Sequence, residues 1–269
     1  MKGLSSTFLK SLIPCSWFLF SGSISAQAGF MAGVDLQIHH VQDQVYMVQR
    51  PGGGGNIGAF VGDDGVLLVD SLFAPMTDNL VETIGEVTDG DIRFLVNTHI
   101  HGDHVGGNEN LAELGVVIFS HDNTRLKFLE DKSHFPRNGG SFAPQQPVAA
   151  RPIITFNDTM TFHFNDEEVR TFLVPPSHTD GDIFVYFPES DVLHLGDVFR
   201  TTSYPIIDKF NGGTLRGTVA SLDKAISIAG PDTKVIPGHG LEIEDRQKLI
   251  EFRDMILDIQ GNVYAMIRA

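Results

Sequence analysis

The densest group of metal-binding side-chain types in this 269-residue sequence lies in one loop, residues 97–104, with the sequence NTHIHGDH. Imidazole is a preferred ligand of zinc and related metals, and a neighbouring carboxylate adds a harder oxygen donor. His99 and His101 are two residues apart, so on extended backbone both point the same way and can chelate one ion. Asp103 and His104 follow closely enough to serve a second ion. The loop therefore predicts metal chemistry, and a polar loop that caps the following helix is the alternative.

Three further candidate ligands lie downstream, each just past the end of a strand-like apolar segment. His178 follows the segment that ends at Val174, Asp197 follows residues 192–195, and His239 follows residues 234–236. Any one of these residues alone is a weak signal, because a loop histidine or aspartate is structural more often than catalytic. Their shared position past strand ends predicts that all three lie at one sheet edge, beside the 97–104 loop.

These residues resemble the metallo-β-lactamase superfamily: the H-x-H-x-D-H loop, His178, Asp197 in a Gly-Asp turn, and His239 in a Pro-Gly-His-Gly turn. The resemblance covers roughly residues 35–245. It implies an α/β fold, the four-layer αββα sandwich, with two Zn²⁺ ions at the edge between its sheets. It further implies a first zinc site of His99, His101 and His178, a second of Asp103, His104 and His239, and Asp197 as the bridge between them.

The resemblance also implies a mechanism, hydrolysis of an amide or ester. Two ions about 3.5–4 Å apart hold a shared water and lower its pKa to about 7. Asp103 is the predicted catalytic residue, a ligand that also orients the water or takes its proton. Asp70, which follows residues 66–69, lies where the family places a carboxylate behind the ligands. It is expected to fix a ligand imidazole or the 97–104 loop, and a plain turn cap is the alternative.

Several positions bear on the substrate. A common β-lactamase subclass has a cysteine at the position of Asp197, whereas an aspartate bridge is similar to the thioesterase, lactonase and phosphodiesterase branches. Glutathione thioesterases carry a further helical domain after the last histidine, so the short segment after His239 disfavours that substrate. Redox di-iron relatives have a glutamate at the position of His101, which disfavours oxygen chemistry.

Arg200 is the predicted substrate-binding residue. It lies three residues after Asp197, where some β-lactamases carry the lysine that binds the substrate carboxylate. A guanidinium near the metals can hold a carboxylate through paired hydrogen bonds. The alternative is a surface salt bridge in an acidic protein.

The segments that must position these residues alternate short strands with helices. Apolar periodicity predicts a strand-rich first half with helices at 74–87 and 121–131, then four strands between 159 and 195. Helices at 215–228 and 243–260 flank a strand at 234–236. This order predicts two sheets packed face to face with helices outside.

Two loops are expected to border the site. The glycine run 51–55 is interpreted as a flap over the metals, and Phe135 and Phe142 of the irregular segment 133–152 as an apolar wall. Ordinary loop packing is the alternative for both. Six histidines are predicted not to bind metal: His39, His40, His121, His134, His163 and His194.

The N-terminus resembles a secretory signal peptide spanning residues 1–28. Lys2 and Lys10 precede an apolar run, residues 12–20, and the small residues around Gln27 allow cleavage after Ala28. The run is shorter than the roughly 20 residues that span a bilayer. Cleavage would remove the only cysteine, Cys15, and would leave a disulfide-free single domain at 29–269, which fits a periplasmic or secreted protein. A frayed apolar helix is the alternative.

The net charge of the chain limits the kinds of partner that it can bind. The chain has 19 basic and 34 acidic residues, a formal net charge of −15, which repels phosphate backbones and disfavours nucleic acid. A small-molecule substrate is expected, with no membrane insertion after signal cleavage.

Hydrolysis of a β-lactam-like cyclic amide ranks first among the candidate activities, because of export and Arg200. Lactonase or thioesterase activity ranks second, because of Asp197. A phosphodiesterase or a zinc-binding protein without activity are further alternatives, and the sequence leaves the oligomeric state open.

Overall fold

The computed structural model describes residues 35–130 and 146–269, with short backbone segments at 136–137 and 140–141 between them. The predicted signal peptide, residues 1–28, lies outside the described residues, as do His134, Phe135 and Phe142. The single mature domain at 29–269 and its export therefore stay predictions. Among the helices of the described ranges, none is both long enough and apolar enough to cross a membrane.

The strands form two large sheets and one short hairpin. The first sheet has the order β1-β2-β3-β4-β5-β6-β9, the second the order β10-β11-β12-β13-β14, and β7 pairs with β8. The strands within the described residues are β1 Gln37–Gln42, β2 Val45–Gln49, β3 Ile57–Gly62, β4 Gly65–Val69, β5 Ile92–Asn97, β6 Val117–His121, β7 Pro136–Arg137, β8 Gly140–Ser141, β9 Ile154–Phe156, β10 Thr159–Phe164, β11 Glu167–Leu173, β12 Ile183–Phe187, β13 Val192–His194 and β14 Lys234–Ile236.

Each sheet joins an antiparallel meander to parallel strands. β1 to β4 pair antiparallel, and β5, β6 and β9 extend that sheet in parallel. β10 to β13 are likewise antiparallel, and β14 pairs in parallel with β13. Parallel neighbours end at the same edge of a sheet, so the loops after β4, β5, β13 and β14 are brought to edges where side chains can meet.

The two sheets pack face to face across one apolar core. Because side chains alternate along a strand, the residues of this core come from one face of each sheet. Phe60 of β3 meets Phe164 of β10 and Phe187 of β12, at 6.4 Å and 5.3 Å between ring centroids. Leu67 and Val69 of β4 belong to the same buried cluster. The core therefore fixes one sheet against the other, and with them the loops at their ends.

Helices cover the outer faces of the sheets. Leu222 and Phe252, on two helices of the C-terminal half, pack with Phe184 and Leu193 of the second sheet. On the first sheet, one helix contacts β1 and two contact β6. The predicted αββα sandwich is confirmed. The helices of the described residues are α1 Thr77–Gly85, α2 Gly102–Val105, α3 Asn108–Glu113, α4 Asp122–Leu129, α5 Leu215–Ile228 and α6 Arg246–Arg268.

The last helix begins later than periodicity predicted. The backbone of Glu244 pairs with Val235 of β14, with both N–O distances 2.8 Å. Asp245 then accepts a hydrogen bond from the Lys248 backbone N–H at 2.9 Å, which caps the helix at Arg246. The helix therefore begins at Arg246 and not at residue 243, because the pairing of Glu244 and the Asp245 cap precede it. Apolar spacing predicts neither of these features.

Candidate metal centre

Loops that follow strand ends bring the seven predicted ligands together. Their donor atoms form clusters in which all atoms lie within 4.8 Å of one another. One cluster contains His99, His101, His178 and Asp197, and another contains Asp103, His104 and His239. The 97–104 loop follows β5 and runs into α2, His178 follows β11, Asp197 lies in a 3₁₀ turn after β13, and His239 follows β14.

In the first cluster, hydrogen bonds on the outer sides of two imidazoles fix which ring nitrogen is free. His178 Nδ1 lies 2.7 Å from the Ile206 carbonyl oxygen, and His101 Nε2 lies 2.7 Å from Asp208 Oδ2. Both partners only accept, so these ring nitrogens carry the hydrogens. The other two ring nitrogens, His178 Nε2 and His101 Nδ1, then face each other at 2.8 Å, within hydrogen-bonding distance. When both rings are neutral, these nitrogens present lone pairs that repel at that distance, so a proton or a metal ion must lie between them.

His99 is fixed in the same way. The Thr98 hydroxyl donates to Asp70 Oδ2 at 2.6 Å, so it accepts from His99 Nδ1 at 3.0 Å. His99 Nε2 is buried and has no hydrogen-bonding partner within the part of the chain that the structure describes. Burial, reinforced by neighbouring histidines, holds the pKa of His99 well below its usual value, and burial lowers that of His178 to about 4. Both rings are therefore neutral near pH 7 and have the lone pairs that a metal requires.

The second cluster combines two imidazoles with a carboxylate. His239 Nε2 lies 3.2 Å from Asp103 Oδ2 and 3.4 Å from His104 Nε2. Burial alone would lower the pKa of His104, but Asp103, Asp197 and Asp70 outweigh it and raise that pKa well above its usual value. Burial would likewise raise the pKa of Asp103, which His104 and His239 hold below its usual range. These carboxylates favour positive charge at this cluster.

Asp197 faces both clusters, one with each oxygen. Oδ1 lies 3.2 Å from both His104 Nε2 and His239 Nε2, and Oδ2 lies 3.6 Å from His178 Nε2. Oδ1 is buried and makes no contact of hydrogen-bond geometry with any described residue. Burial would raise the pKa of Asp197, but His104 outweighs it and keeps the carboxylate ionised. A Cβ at Gly238 would overlap Oδ1, which explains the glycine before His239.

Asp70 makes the contacts that the sequence predicted for a carboxylate behind the ligands. It is fully buried, with φ at +70°. Its Oδ1 accepts the Thr98 backbone N–H at 2.7 Å, and its Oδ2 lies 2.7 Å from His104 Nδ1. Asp70 therefore contacts the imidazole of a predicted ligand and the 97–104 loop at once, and directs His104 Nε2 toward the second cluster.

Asp208 is a residue at the site that the sequence analysis missed. It contacts His101 as described, and its Oδ1 also accepts the backbone N–H groups of Phe210 and Asn211 at 3.0 and 3.2 Å. An aspartate just before Asn211-Gly212 is a recognisable turn signal. Nothing in the sequence links it to a histidine 107 positions away.

Arg200 lies at the site, but its guanidinium faces Asp197, with Nη1 3.4 Å from Oδ2. Its predicted contact with a substrate carboxylate stays a prediction.

The glycine run 51–55 ends beside the second cluster, because Asn56 donates to the Pro237 carbonyl oxygen at 2.9 Å. A Cβ at Gly55 would lie 2.5 Å from His104 Cε1, so only glycine allows this approach. Its role as a flap also stays a prediction.

The histidines predicted not to bind metal are absent from the metal-binding clusters within the described ranges: His39, His40, His121, His163 and His194. His194 is buried nonetheless. Its Nδ1 accepts the Gly196 backbone N–H at 3.2 Å, and its Nε2 lies 3.3 Å from the Asn56 carbonyl oxygen. These contacts suit the neutral ring, and burial lowers its pKa to about 4.

Asp70→Asn is expected to weaken zinc binding at the second cluster about 10–100-fold, the usual effect of losing a partner behind a ligand. An amide has only one oxygen, so it cannot accept both the Thr98 backbone N–H, as Oδ1 does, and His104 Nδ1, as Oδ2 does. Either the 97–104 loop or the His104 ring therefore loses a hydrogen bond that holds it. Competition with a chromogenic chelator measures the affinity. Asp43→Asn is the matched control, since Asp43 is an exposed aspartate that also has positive φ. Unchanged affinity in Asp70→Asn would leave Asp70 a turn cap.

His194→Gln is expected to flatten the loss of stability in acid. Because the folded state keeps His194 neutral down to about pH 4, against 6.5 for a free imidazole, the unfolded chain binds this proton first. The free energy of unfolding therefore falls as pH drops from 6.5 toward 4. Urea titrations across this range measure the slope, with the exposed His40→Gln as control. Equal slopes in both variants would contradict this assignment.

Two comparisons of the sequence with known proteins agree on the family. A model of the metallo-beta-lactamase superfamily matches residues 50–239. A metallo-beta-lactamase type 2 from Bacillus cereus is 24% identical over 193 residues, covering 71% of this chain and 69% of that protein. A hydroxyacylglutathione hydrolase from Brucella canis is 26% identical over 203 residues, 75% of this chain and 68% of that protein.

The comparison of structures shows the same fold. The metallo-beta-lactamase from Pontibacter korlensis matches with a TM-score of 0.66 at 18% identity, covering 83% of this chain and 99% of that one. The structure of VMB-1 matches with a TM-score of 0.67 at 22% identity, over 84% and 98%. The chain belongs to the metallo-β-lactamase superfamily and is a metal-dependent hydrolase.

Proposed function

We propose that the protein is a binuclear zinc hydrolase that opens a cyclic amide of the β-lactam type. The observation that carries the two-metal site is the placement of Asp197, with Oδ1 3.2 Å from His104 and His239 and Oδ2 3.6 Å from His178. A carboxylate that offers one oxygen to each of two imidazole clusters suits a bridging ligand. A single ion at the first cluster would leave Oδ1 buried without a hydrogen-bonding partner among the described residues.

The donor set suits zinc. Zinc accepts both imidazole nitrogen, a borderline donor, and the harder carboxylate oxygen, and none of the seven proposed ligands is a cysteine. When bound, zinc would supply a Lewis acid for the carbonyl and a nucleophilic water at neutral pH. His99, His101 and His178 would hold the first ion, Asp103, His104 and His239 would hold the second, and Asp197 would serve both.

Asp103 is proposed as the catalytic carboxylate. Its side chain is 23% exposed, against 4% for Asp197 and none for Asp70, so it is the carboxylate of these three that water and substrate can reach. Its lowered pKa keeps it ionised, as an acceptor for a hydrogen bond from the attacking water. That pKa makes it an orienting group more than a strong base.

The substrate ranking rests on relatives and on one contact. The Bacillus cereus relative is named a β-lactamase, which supports a cyclic amide. Lactone or thioester hydrolysis is the second candidate. It is favoured by the pairing of the Arg200 guanidinium with Asp197, which leaves Arg200 less available to a substrate carboxylate, and by the relative named hydroxyacylglutathione hydrolase. A phosphodiester substrate is disfavoured by the net charge of −15. A protein that binds zinc without catalysis would not require two clusters arranged around one carboxylate, Asp197.

We also propose that the chain is exported and that cleavage after Ala28 leaves a mature domain at 29–269. The support is the charged, apolar and small-residue order of residues 1–28. This order is independent of the metal centre, so the hydrolase proposal does not depend on export.

Zinc stoichiometry and turnover test the proposal together. The purified protein is expected to bind two zinc ions and to hydrolyse at least one member of a panel of β-lactams, lactones, thioesters and phosphodiesters. Removing zinc with a chelator should abolish turnover, and adding zinc back should restore it. Two bound ions with no hydrolysis across the panel would favour a zinc-binding protein.

Asp103→Asn is expected to retain the first ion and to lose most of its turnover, because the amide cannot accept the water's hydrogen bond as an anion does. Loss of general acid–base help typically lowers kcat about 10²–10⁴-fold. Steady-state kinetics with measured metal content checks this. Asp232→Asn, at an exposed turn, is the control. An unimpaired Asp103→Asn enzyme would remove Asp103 from the mechanism.

A further inference from the structure

We propose that Arg200 positions Asp197, holding its carboxylate so that one oxygen faces each imidazole cluster. The sequence predicted a different role, a contact with a substrate carboxylate. The inference rests on the proposed function, since it takes Asp197 as the bridging ligand. It makes Arg200 part of the support of the metal centre and leaves substrate recognition to other groups.

Burial directs the charge of Arg200 to Asp197. The residue is 8% exposed, and its guanidinium carries a positive charge. A buried charge requires an opposite charge nearby, and Arg200 Nη1 lies 3.4 Å from Asp197 Oδ2. Arg200 Nε is buried and has no hydrogen-bonding partner among the residues that the structure describes. Within those residues, Asp197 is therefore the carboxylate that pairs with this guanidinium, which also lines a cavity of about 470 Å³.

The contact selects between orientations of the Asp197 carboxylate. Rotation about the Cβ–Cγ bond of an aspartate is soft, so the carboxylate needs an external contact to fix which oxygen points where. Arg200 takes Oδ2, the oxygen 3.6 Å from His178, and leaves Oδ1 directed at His104 and His239. Without the guanidinium, the carboxylate can turn and offer both oxygens to one ion.

The backbone fixes Arg200 relative to His239. The two residues form a parallel β-bridge, and the Thr201 N–H donates to the His239 carbonyl oxygen at 2.8 Å. The Gly238 N–H donates to the Phe199 carbonyl oxygen at 2.9 Å. Arg200 therefore holds one donor of the second cluster through its backbone, and its side chain reaches back to Asp197. These backbone contacts remain when the side chain is changed, so the effect of Arg200→Gln acts through Asp197. An ion among the three imidazoles of the first cluster would keep more positive charge than one beside Asp103, so the freed carboxylate should turn toward the first ion and leave the second.

Metal titration tests this with Arg200→Gln, Arg200→Lys and a control. Lys248→Gln is the matched control, since Lys248 lines the same cavity of about 470 Å³ as Arg200 but pairs with Glu251. Cobalt is added to metal-free protein and followed by its visible spectrum. Arg200→Gln is expected to keep the first ion and to bind the second about 10–100-fold more weakly. Arg200→Lys should recover part of that loss, and Lys248→Gln should match the wild type.

Kinetics on the zinc-loaded enzyme separate the two roles of Arg200. A positioning role lowers kcat alike for carboxylated and uncharged substrates and leaves KM nearly unchanged. Two ions bound as tightly as in the wild type, with KM raised for carboxylated substrates alone, would overturn the inference and restore the role predicted from sequence. If Arg200→Gln does not fold, the Arg200→Lys variant is used instead. Wild-type cobalt affinity of that variant at both sites would also overturn the inference.

The wild-type titration distinguishes this failure from that of the proposed function. A wild type that binds fewer than two ions overturns the proposed function and the inference with it. A wild type with two ions and an Arg200→Gln variant that keeps both with unchanged affinity overturns the inference alone.

Discussion

The candidate metal centre depends on hydrogen bonds that fix which nitrogen of each buried imidazole points into the cluster. His101 Nδ1 and His178 Nε2 lie 2.8 Å apart because each ring donates its other nitrogen to an acceptor outside the cluster. His104 likewise has an acceptor, Asp70, at its outer nitrogen. These outer acceptors orient the rings, so that the other nitrogen of each points toward a common space where a metal ion would stabilise it.

The sandwich supplies those acceptors from far along the chain. Packing of the two sheets through Phe60 and its partners brings the loops after β5, β11, β13 and β14 to one edge. Glycine is required where the loops touch, as at Gly238 against Asp197 and Gly55 against His104. A side chain at either position would force the cluster apart, so the close approach of backbone and ligand is itself a part of the site.

Charge within the centre is distributed unevenly. In the first cluster burial keeps His99 and His178 neutral, whereas the second cluster has Asp103 beside its two histidines. Asp197 faces both clusters, and Arg200 offsets part of its negative charge at Oδ2. An ion held by neutral imidazoles would keep more of its positive charge, which suits a Lewis acid, whereas Asp103 would offset the charge of an ion at the second cluster.

The sequence by itself determined the candidate ligands, their positions past strand ends and the sandwich class, because strand periodicity and the density of histidines are local signals. It also pointed to Asp70, through its position after a strand. Only the tertiary structure decided that Asp208 and the Ile206 carbonyl orient His101 and His178, and that Arg200 faces Asp197. Such contacts join residues distant in sequence or depend on which way a side chain turns. Local spacing carries no information on either, because packing of the whole sandwich sets both.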